Sequence, residues 1–356
     1  MNILITGGCG FLGSNIAAKF LSRGERVIVI DALFRQGGEQ NLAWLQSLAA
    51  PAQFNHCKAD TADTEAVESI FQKYGPFDYI CHLAGQVAMT TSLSDPRREL
   101  LNNVVGSFNI LEAARNYCPG TFLAYSSTNK VYGDLRDFEY EETPSRYIIP
   151  AHPKGFDESL RLDFASPYGC SKGSADQYFH DWYRNFGLKT VVFRHSSIFG
   201  GRQFSTFDQG WIGWFCQKAL EQQAAITAGK AVTPFTIQGT GKQVRDVLHA
   251  DDLIALYLAA YEHRDSVAGE AFNIGGGIEN SLSLLELFTR LGALLDLPVN
   301  PSTNSPLTFT NLPRRQSDQD FFVADISKAG RLIDWTPRVS CDEGLRRMLE
   351  WCRGGK

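Results

Sequence analysis

The chain opens on a pattern that few folds accommodate. Residues 2–6 read as a buried strand around Ile3-Leu4-Ile5, and Gly7-Gly8-Cys9-Gly10-Phe11-Leu12-Gly13 follows at once. A helical pattern covers residues 11–23, and a second apolar run, 26–30, ends in Asp31. Strand, glycine turn, helix, strand and terminal acid make the first unit of a dinucleotide-binding βαβ fold. Glycines at 7, 10 and 13 let backbone N–H groups, with Phe11 and Leu12 beside them, approach a pyrophosphate at the helix N-terminus. Asp31 lies 18 residues beyond Gly13, where an acid binds both ribose hydroxyls of NAD and repels a 2′-phosphate. Arg35 is close enough to compete with that reading, and Asp31 decides it for NAD.

The alternation continues. Residues 53–57 read as a strand followed by Asp60 and Thr61, 63–73 as a helix, and 79–83 as a strand ending in Leu83-Ala84-Gly85. A long helix at 95–117 contains Asn103, and a strand at 122–125 ends in Ser126-Ser127-Thr128. After a proline- and aromatic-bearing loop at 134–167, Tyr168 opens a helix to about 186, and 190–194 is another strand. Strands alternating with helices predict an α/β chain with a Rossmann-type, doubly wound parallel sheet. Ligands in such sheets bind at the C-terminal strand ends, where Asp31, Asp60, Ala84 and Thr128 fall. Beyond 194 the elements shorten, which predicts a smaller C-terminal substrate-binding lobe. The expected division is 1–194 plus about 246–273 for the dinucleotide domain. About 195–245 and 274–356 form the lobe.

A net charge of −5 gives no reason to expect nucleic acid or an anionic membrane as partner. The eight cysteines show no CxxC pair and no metal-like spacing, as for free thiols in a reducing cytosol. No apolar run approaches the roughly 18 residues of a membrane helix. A cytoplasmic protein without a metal is expected.

Tyr168 and Lys172 stand four residues apart, one turn of a helix. An ammonium near a phenol favours the phenolate, so the spacing predicts a lowered Tyr168 pKa and proton exchange with a sugar or alcohol hydroxyl.

In chain order, Gly7/Gly10/Gly13, Asp31, Ser126-Ser127-Thr128 and Tyr168…Lys172 resemble the extended short-chain dehydrogenase/reductase family over essentially the whole chain. Arg194-His195-Ser196-Ser197, Arg245 to Asp252, Phe272 to Gly276 and Pro313 to Asp318 agree with it. The resemblance implies Thr128 as hydrogen-bond partner of the reacting hydroxyl, Tyr168 as acid/base and Lys172 as ribose ligand. It implies a nicotinamide near Ser197 and Ile198, and Arg245 and Arg315 gripping the pyrophosphate of a nucleotide-sugar. Family members that dehydrate sugars carry an Asp-Glu pair directly after the threonine. Asn129-Lys130 stands here, which disfavours dehydration. Four longer strings, 82–92, 126–133, 193–203 and 208–215, resemble an NAD-dependent epimerase branch that inverts carbon 2 of a CDP-linked sugar for bacterial O-antigen (lipopolysaccharide). In that reading Gln86, Met89, Thr90, Arg202 and Gln209 neighbour the substrate, as do Lys154 and Asp157. Family habit implies a homodimer or homotetramer through the helices at 95–117 and 168–186. Epimerisation of a GDP- or UDP-hexose at carbon 4 or 2, a net reductase, and a non-catalytic nucleotide-binding protein remain alternatives.

Overall fold

The computed structural model describes the chain except residues 88, 208, 302, 315–317 and 355–356, and of Met89 and Thr90 the backbone alone. Its first half alternates as the glycine pattern requires: β1 (Asn2–Thr6), α1 (Phe11–Ser22), β2 (Arg26–Ile30), α2 (Gly38–Leu48), β3 (Phe54–Cys57), α3 (Thr64–Tyr74) and β4 (Tyr79–His82). Next come α4 (Met89–Ser94), α5 (Pro96–Glu99), a π-helical turn at Leu100–Val105, α6 (Gly106–Tyr117) and β5 (Phe122–Thr128). A two-residue hairpin, β6 (Glu141–Glu142) and β7 (Tyr147–Ile148), interrupts the loop before α7 (Ser166–Phe186) and β8 (Lys189–His195).

Beyond these lie β9 (Ser197–Phe199), α8 (Trp211–Thr227), β10 (Phe235–Gln238), β11 (Val244–His249), α9 (Ala250–Glu262), α10 (Arg264–Val267) and β12 (Ala271–Ile274). The chain closes with β13 (Ser281–Ser283), α11 (Leu284–Leu294), β14 (Phe309–Leu312), β15 (Phe321–Phe322), α12 (Ser327–Ile333) and α13 (Cys341–Gly354).

Seven strands form one sheet in the order β12-β8-β5-β4-β1-β2-β3, and every pairing in it is parallel. The central residues of its inner strands β1, β2, β4 and β5 are apolar because both faces are covered there. Ile3, Ile5, Val27 and Val29 pack on one face with Ile16 and Phe20 of α1 and Leu253 and Leu256 of α9. Leu4, Ile28, Ile80 and Leu123 pack on the other with α3, α6 and α7. The order reverses between β1 and β4, and the crevice above that switch point is where such sheets hold ligands.

A third core gathers Ile212, Phe215, Phe235, Phe288 and Met348 from α8, β10, α11 and α13. The long loop has its own core, in which Val131, Tyr132 and Phe156 pack on Phe321 and Phe322 of β15. Two differences from the sequence reading stand out. Helix α2 carries no signal there, since its N-cap Gly37 is left-handed and makes no side-chain cap. The expected single helix over 95–117 is instead α5, a widened π turn closed by Gly106 N–H donating to Leu101 O, and α6.

Candidate functional site

A cleft of about 590 Å³ opens along the C-terminal ends of β1, β2, β4 and β5, a size typical of ligand sites. Its floor is the glycine turn. Gly7 sits at φ +66, where a Cβ would press to 2.8 Å from Ala84 N, and a Cβ on Gly13 would meet Gly7 O at 2.2 Å. Only glycine lets β1, α1 and the strand-end at Ala84 approach this closely. The N-terminus of α1 has no side-chain cap and no acid in its first turn, so its leading N–H groups and the helix dipole are available to an anion. Asp31 is held at the end of β2 by Cys9 N–H at 2.9 Å and Leu33 N–H at 2.8 Å. A cradle of bare backbone with an acid at its rim fits a dinucleotide.

Every residue named above as a cofactor neighbour lines this cleft except Asn103. Asn103 is fully buried behind the wall. Its Oδ1 accepts Gln86 N–H at 2.8 Å, and its Nδ2 donates to Ser171 Oγ at 2.8 Å and Glu99 Oε2 at 2.9 Å. The π turn aims Asn103 at the Gly85-Gln86 bend and away from the cleft. Of the substrate set, Gln86, Thr128, Arg202 and Gln209 line the cleft. Arg202 (φ +66) stacks its guanidinium 4.1 Å from the Trp44 ring and 5.1 Å from the Trp351 ring.

Arg245 is not in the wall. It donates to Asp318 Oδ1 and Gln319 O, both at 2.8 Å, and shares Asp318 with Lys130, whose Nζ lies at 3.5 Å. Lys154 and Asp157 are exposed away from the cleft, and Asp157 turns on Ser159 N–H instead. Arg315 and the side chains of Met89 and Thr90 lie outside the described residues.

Thr128, Tyr168 and Lys172 converge on one end of the cleft. Thr128 ends β5, and its hydroxyl stands beside the Tyr168 phenol and lowers its pKa. Lys172 Nζ donates to Ser126 O at 2.8 Å and lies 4.9 Å from the centre of the Tyr125 ring. Burial pushes the Tyr168 phenol up to about 12 and Glu99 adds to this, while Thr128 and Arg35 pull it down. That direction is opposite to the one implied by the Tyr-Lys spacing. Lys172 turns to the Ser126 carbonyl, and desolvation of a phenolate outweighs the cations nearby. Burial likewise lowers the Lys172 ammonium to about 8.

Behind Thr128, Ser127 Oγ donates to Asp176 Oδ2 at 2.8 Å, and Arg194 clamps Asp176 with bonds of 2.9 and 2.8 Å. Asn129 faces away, its Nδ2 on Gln319 Oε1 at 2.8 Å. His195 also lines the cleft, with Nδ1 3.2 Å from Ser126 Oγ. Burial takes its imidazole down to about 3, so it is neutral at physiological pH. Glu99, Asp176 and the wall role of His195 escaped the sequence reading, because an isolated acid or histidine in a helix or strand carries no local mark of burial.

A family model described as GDP-mannose 4,6 dehydratase matches residues 4–348. The chain belongs to that family. The CDP-paratose 2-epimerase of Salmonella typhi is 54% identical over 351 residues, covering 99% of both chains. A dTDP-glucose 4,6-dehydratase of Salmonella typhimurium is 31% identical over 361 residues, covering 99% of this chain and 92% of the relative. Among solved structures, the UDP-glucose 4-epimerase of Thermotoga maritima with UDP-glucose superposes at TM-score 0.79 and 28% identity, over 100% of this chain and 99% of the other. The UDP-glucuronic acid 4-epimerase of Bacillus cereus, with UDP-glucuronic acid and NAD, gives 0.78 and 26% over the whole of both chains. Relatives of this chain thus include both dehydratases and an epimerase.

Proposed function

We propose that this protein is an NAD-dependent nucleotide-sugar epimerase that interconverts CDP-paratose and CDP-tyvelose by inverting carbon 2. The observation that carries the reading is the end-to-end match at 54% identity to a CDP-paratose 2-epimerase. The site agrees with it, since Thr128 and Tyr168 meet in the cleft while Asn129 and Lys130 are turned to Gln319 and Asp318.

When bound, NAD supplies a hydride acceptor that is restored within each cycle. Gly7, Gly10 and Gly13 with the α1 N-terminus would hold its pyrophosphate, Asp31 a ribose, and Ser197 the nicotinamide end. Tyr168, as phenolate, removes the proton of the sugar's 2-hydroxyl and returns it once the 2-ketosugar has turned over. Thr128 holds the same oxygen in both half-reactions. Lys172 fixes the adjoining ribose and balances the phenolate charge. Residues 1–194 with about 246–273 carry the cofactor, and the remainder carries the nucleotide-sugar.

The working form is a homodimer or homotetramer through α6 and α7. Leu100, Leu101, Phe108, Tyr178 and Phe186 on and beside these helices are exposed, an apolar patch of the kind that marks an interface. No helix among the described residues is long and apolar enough to cross a membrane. The free cysteines suit a reducing compartment, and a cytoplasmic role in O-antigen assembly follows from the proposed substrate.

Proton NMR of the purified protein with CDP-paratose and no added cofactor tests the reading. Conversion of the gluco-like anomeric coupling to the manno-like pattern is expected. An unchanged spectrum with NAD bound would reject this substrate and direct the search to GDP- and UDP-hexoses.

A further inference from the structure

Residues 200–207 make contacts that the proposed chemistry does not call for. They leave β9, which pairs with β11, and cross to the N-terminal halves of α1 and α2. Asn15 of α1 donates to Gly201 O at 3.0 Å and to Phe11 O at 2.8 Å. Asn41 of α2 donates to Arg202 O at 3.3 Å and to Cys9 O, in the glycine turn, at 3.1 Å. The Phe204 ring lies against Gly37, where a Cβ would stand 2.0 Å from it. Arg202, Gln203, Phe204 and Thr206 line the cleft. The segment therefore borders the cradle that suits a dinucleotide's pyrophosphate.

Arg202 fastens it. The guanidinium lies 4.1 Å from the centre of the Trp44 ring and 5.1 Å from that of the Trp351 ring. Trp44 packs on the core that α1 and α9 form with the sheet, and Trp351 belongs to the core of α8, β10, α11 and α13. One side chain thus joins the two cores. Its backbone stands at φ +66, a sparsely populated region for a residue with a Cβ, so the contacts around it must hold the bend. A second observation points to a ligand. Asn41 Oδ1 and Gln203 Oε1 are buried without a hydrogen-bond partner among the described residues, and both residues line the cleft. Buried amide oxygens are costly to leave unpaired. Ribose hydroxyls and a carboxamide N–H are donors of the kind they lack.

We propose that residues 200–207 are a strap that retains the dinucleotide, and that Arg202, gripped by Trp44 and Trp351, is its latch, which must open before the cofactor can leave. Arg202 then serves the cofactor side of the cleft rather than the sugar. The arrangement suits a redox-neutral reaction. An epimerase restores its NAD within each cycle, so turnover never requires the strap to open. A net reductase would have to open it once per turnover. Because Asn41 ties the strap directly to the glycine turn, loosening the latch acts on the cradle itself.

The inference rests on the reading that NAD occupies this cleft. The test loads the full-length protein with radiolabelled NAD, adds excess unlabelled NAD, and follows the label that stays bound. Trp44 is outside the cleft wall, so its replacement probes the latch without touching the chemistry. Trp44→Leu should release label faster by roughly tenfold, from the loss of one partly buried cation–π face and its packing. Turnover per bound NAD should stay at the parent's value. Trp44→Phe, which keeps an aromatic face, should release close to the parent rate. A parental release rate in Trp44→Leu, even with a lowered denaturant midpoint, overturns the proposal and leaves Trp44 a packing residue.

Should Trp44→Leu not melt cooperatively, Arg202→Lys decides. It keeps the charge and loses the flat stacking face, so its label must also leave faster, and a parental rate overturns the proposal equally. A parent protein that purifies without NAD and takes none up would instead sink the cofactor reading itself, an outcome distinct from an unchanged release rate.

Discussion

Replacing Asp176 by asparagine probes how the wall behind the reacting hydroxyl is held. Asp176 is fully buried on α7, two turns beyond Tyr168. It accepts Arg194 Nε at 2.9 Å, Arg194 Nη2 at 2.8 Å and Ser127 Oγ at 2.8 Å. Arg194 continues the network to Tyr132 Oη at 3.0 Å, and Tyr132 to Asn273 Oδ1 at 2.8 Å. The pair joins α7 to β8 and, through Ser127, to the residue before Thr128. Asparagine keeps the volume and leaves the guanidinium buried without a counter-charge. His180, 3.7 Å from Asp176, supplies no replacement, because an imidazole is neutral or cationic and cannot balance a guanidinium. Losing one partner of such a pair costs about 3–5 kcal/mol. Arg194→Met alone should cost about as much, and Asp176→Asn with Arg194→Met should cost less than the two single losses by at least about 2 kcal/mol. Denaturant unfolding followed by circular dichroism and tryptophan fluorescence measures all three. A loss under about 1 kcal/mol for Asp176→Asn, or strictly additive singles, would refute the argument.

Tyr168→Phe should lower epimerase turnover by about 10²–10⁴-fold while the protein still purifies with its dinucleotide; near-parental turnover would contradict the assigned role. Gly13→Ala places a methyl 2.2 Å from Gly7 O, so the protein should purify with little bound dinucleotide, measured by absorbance after acid release; full occupancy would count against the cradle. Burial holds His195 and His82 down at about 3, below the ordinary value of about 6.5. The unfolded chain therefore takes up these protons first, and the stability present above about pH 6.5 is lost as pH falls towards 3. His195→Asn should make that loss shallower by up to about 1.4 kcal/mol per pH unit. An unaltered slope in urea titrations would show that His195 protonates freely in the fold.

The limits of the sequence reading have local causes. β1 and β2 have the bounds the sequence predicts, because Ile3-Leu4-Ile5 and Val27-Ile28-Val29-Ile30 give the apolar centre that a parallel strand covered on both faces needs. The glycine turn was equally legible, since its steric demands act within a few residues. Asn103 was placed in the cofactor wall but supports it from behind, because a π turn changes which face a helix presents and leaves no compositional mark. The downward shift expected for Tyr168 rested on one neighbour, Lys172. Its burial, which reverses the sign, depends on contacts with β5 and α5 that are distant in sequence. Arg245 was matched to a pyrophosphate site, and in the fold its fork is engaged by Asp318 and Gln319 O. The Glu99, Asp176 and Arg194 charges are invisible one residue at a time, since each acquires its meaning from a partner on another element.

The central claim is that hydride leaves carbon 2 and returns to the same carbon from a cofactor that never leaves the protein. Epimerisation of CDP-paratose in deuterium oxide tests it most directly, with the product read by proton NMR and mass spectrometry. The account predicts CDP-tyvelose carrying ordinary hydrogen at carbon 2. Deuterium at that position would mean inversion by proton exchange with solvent and would contradict it.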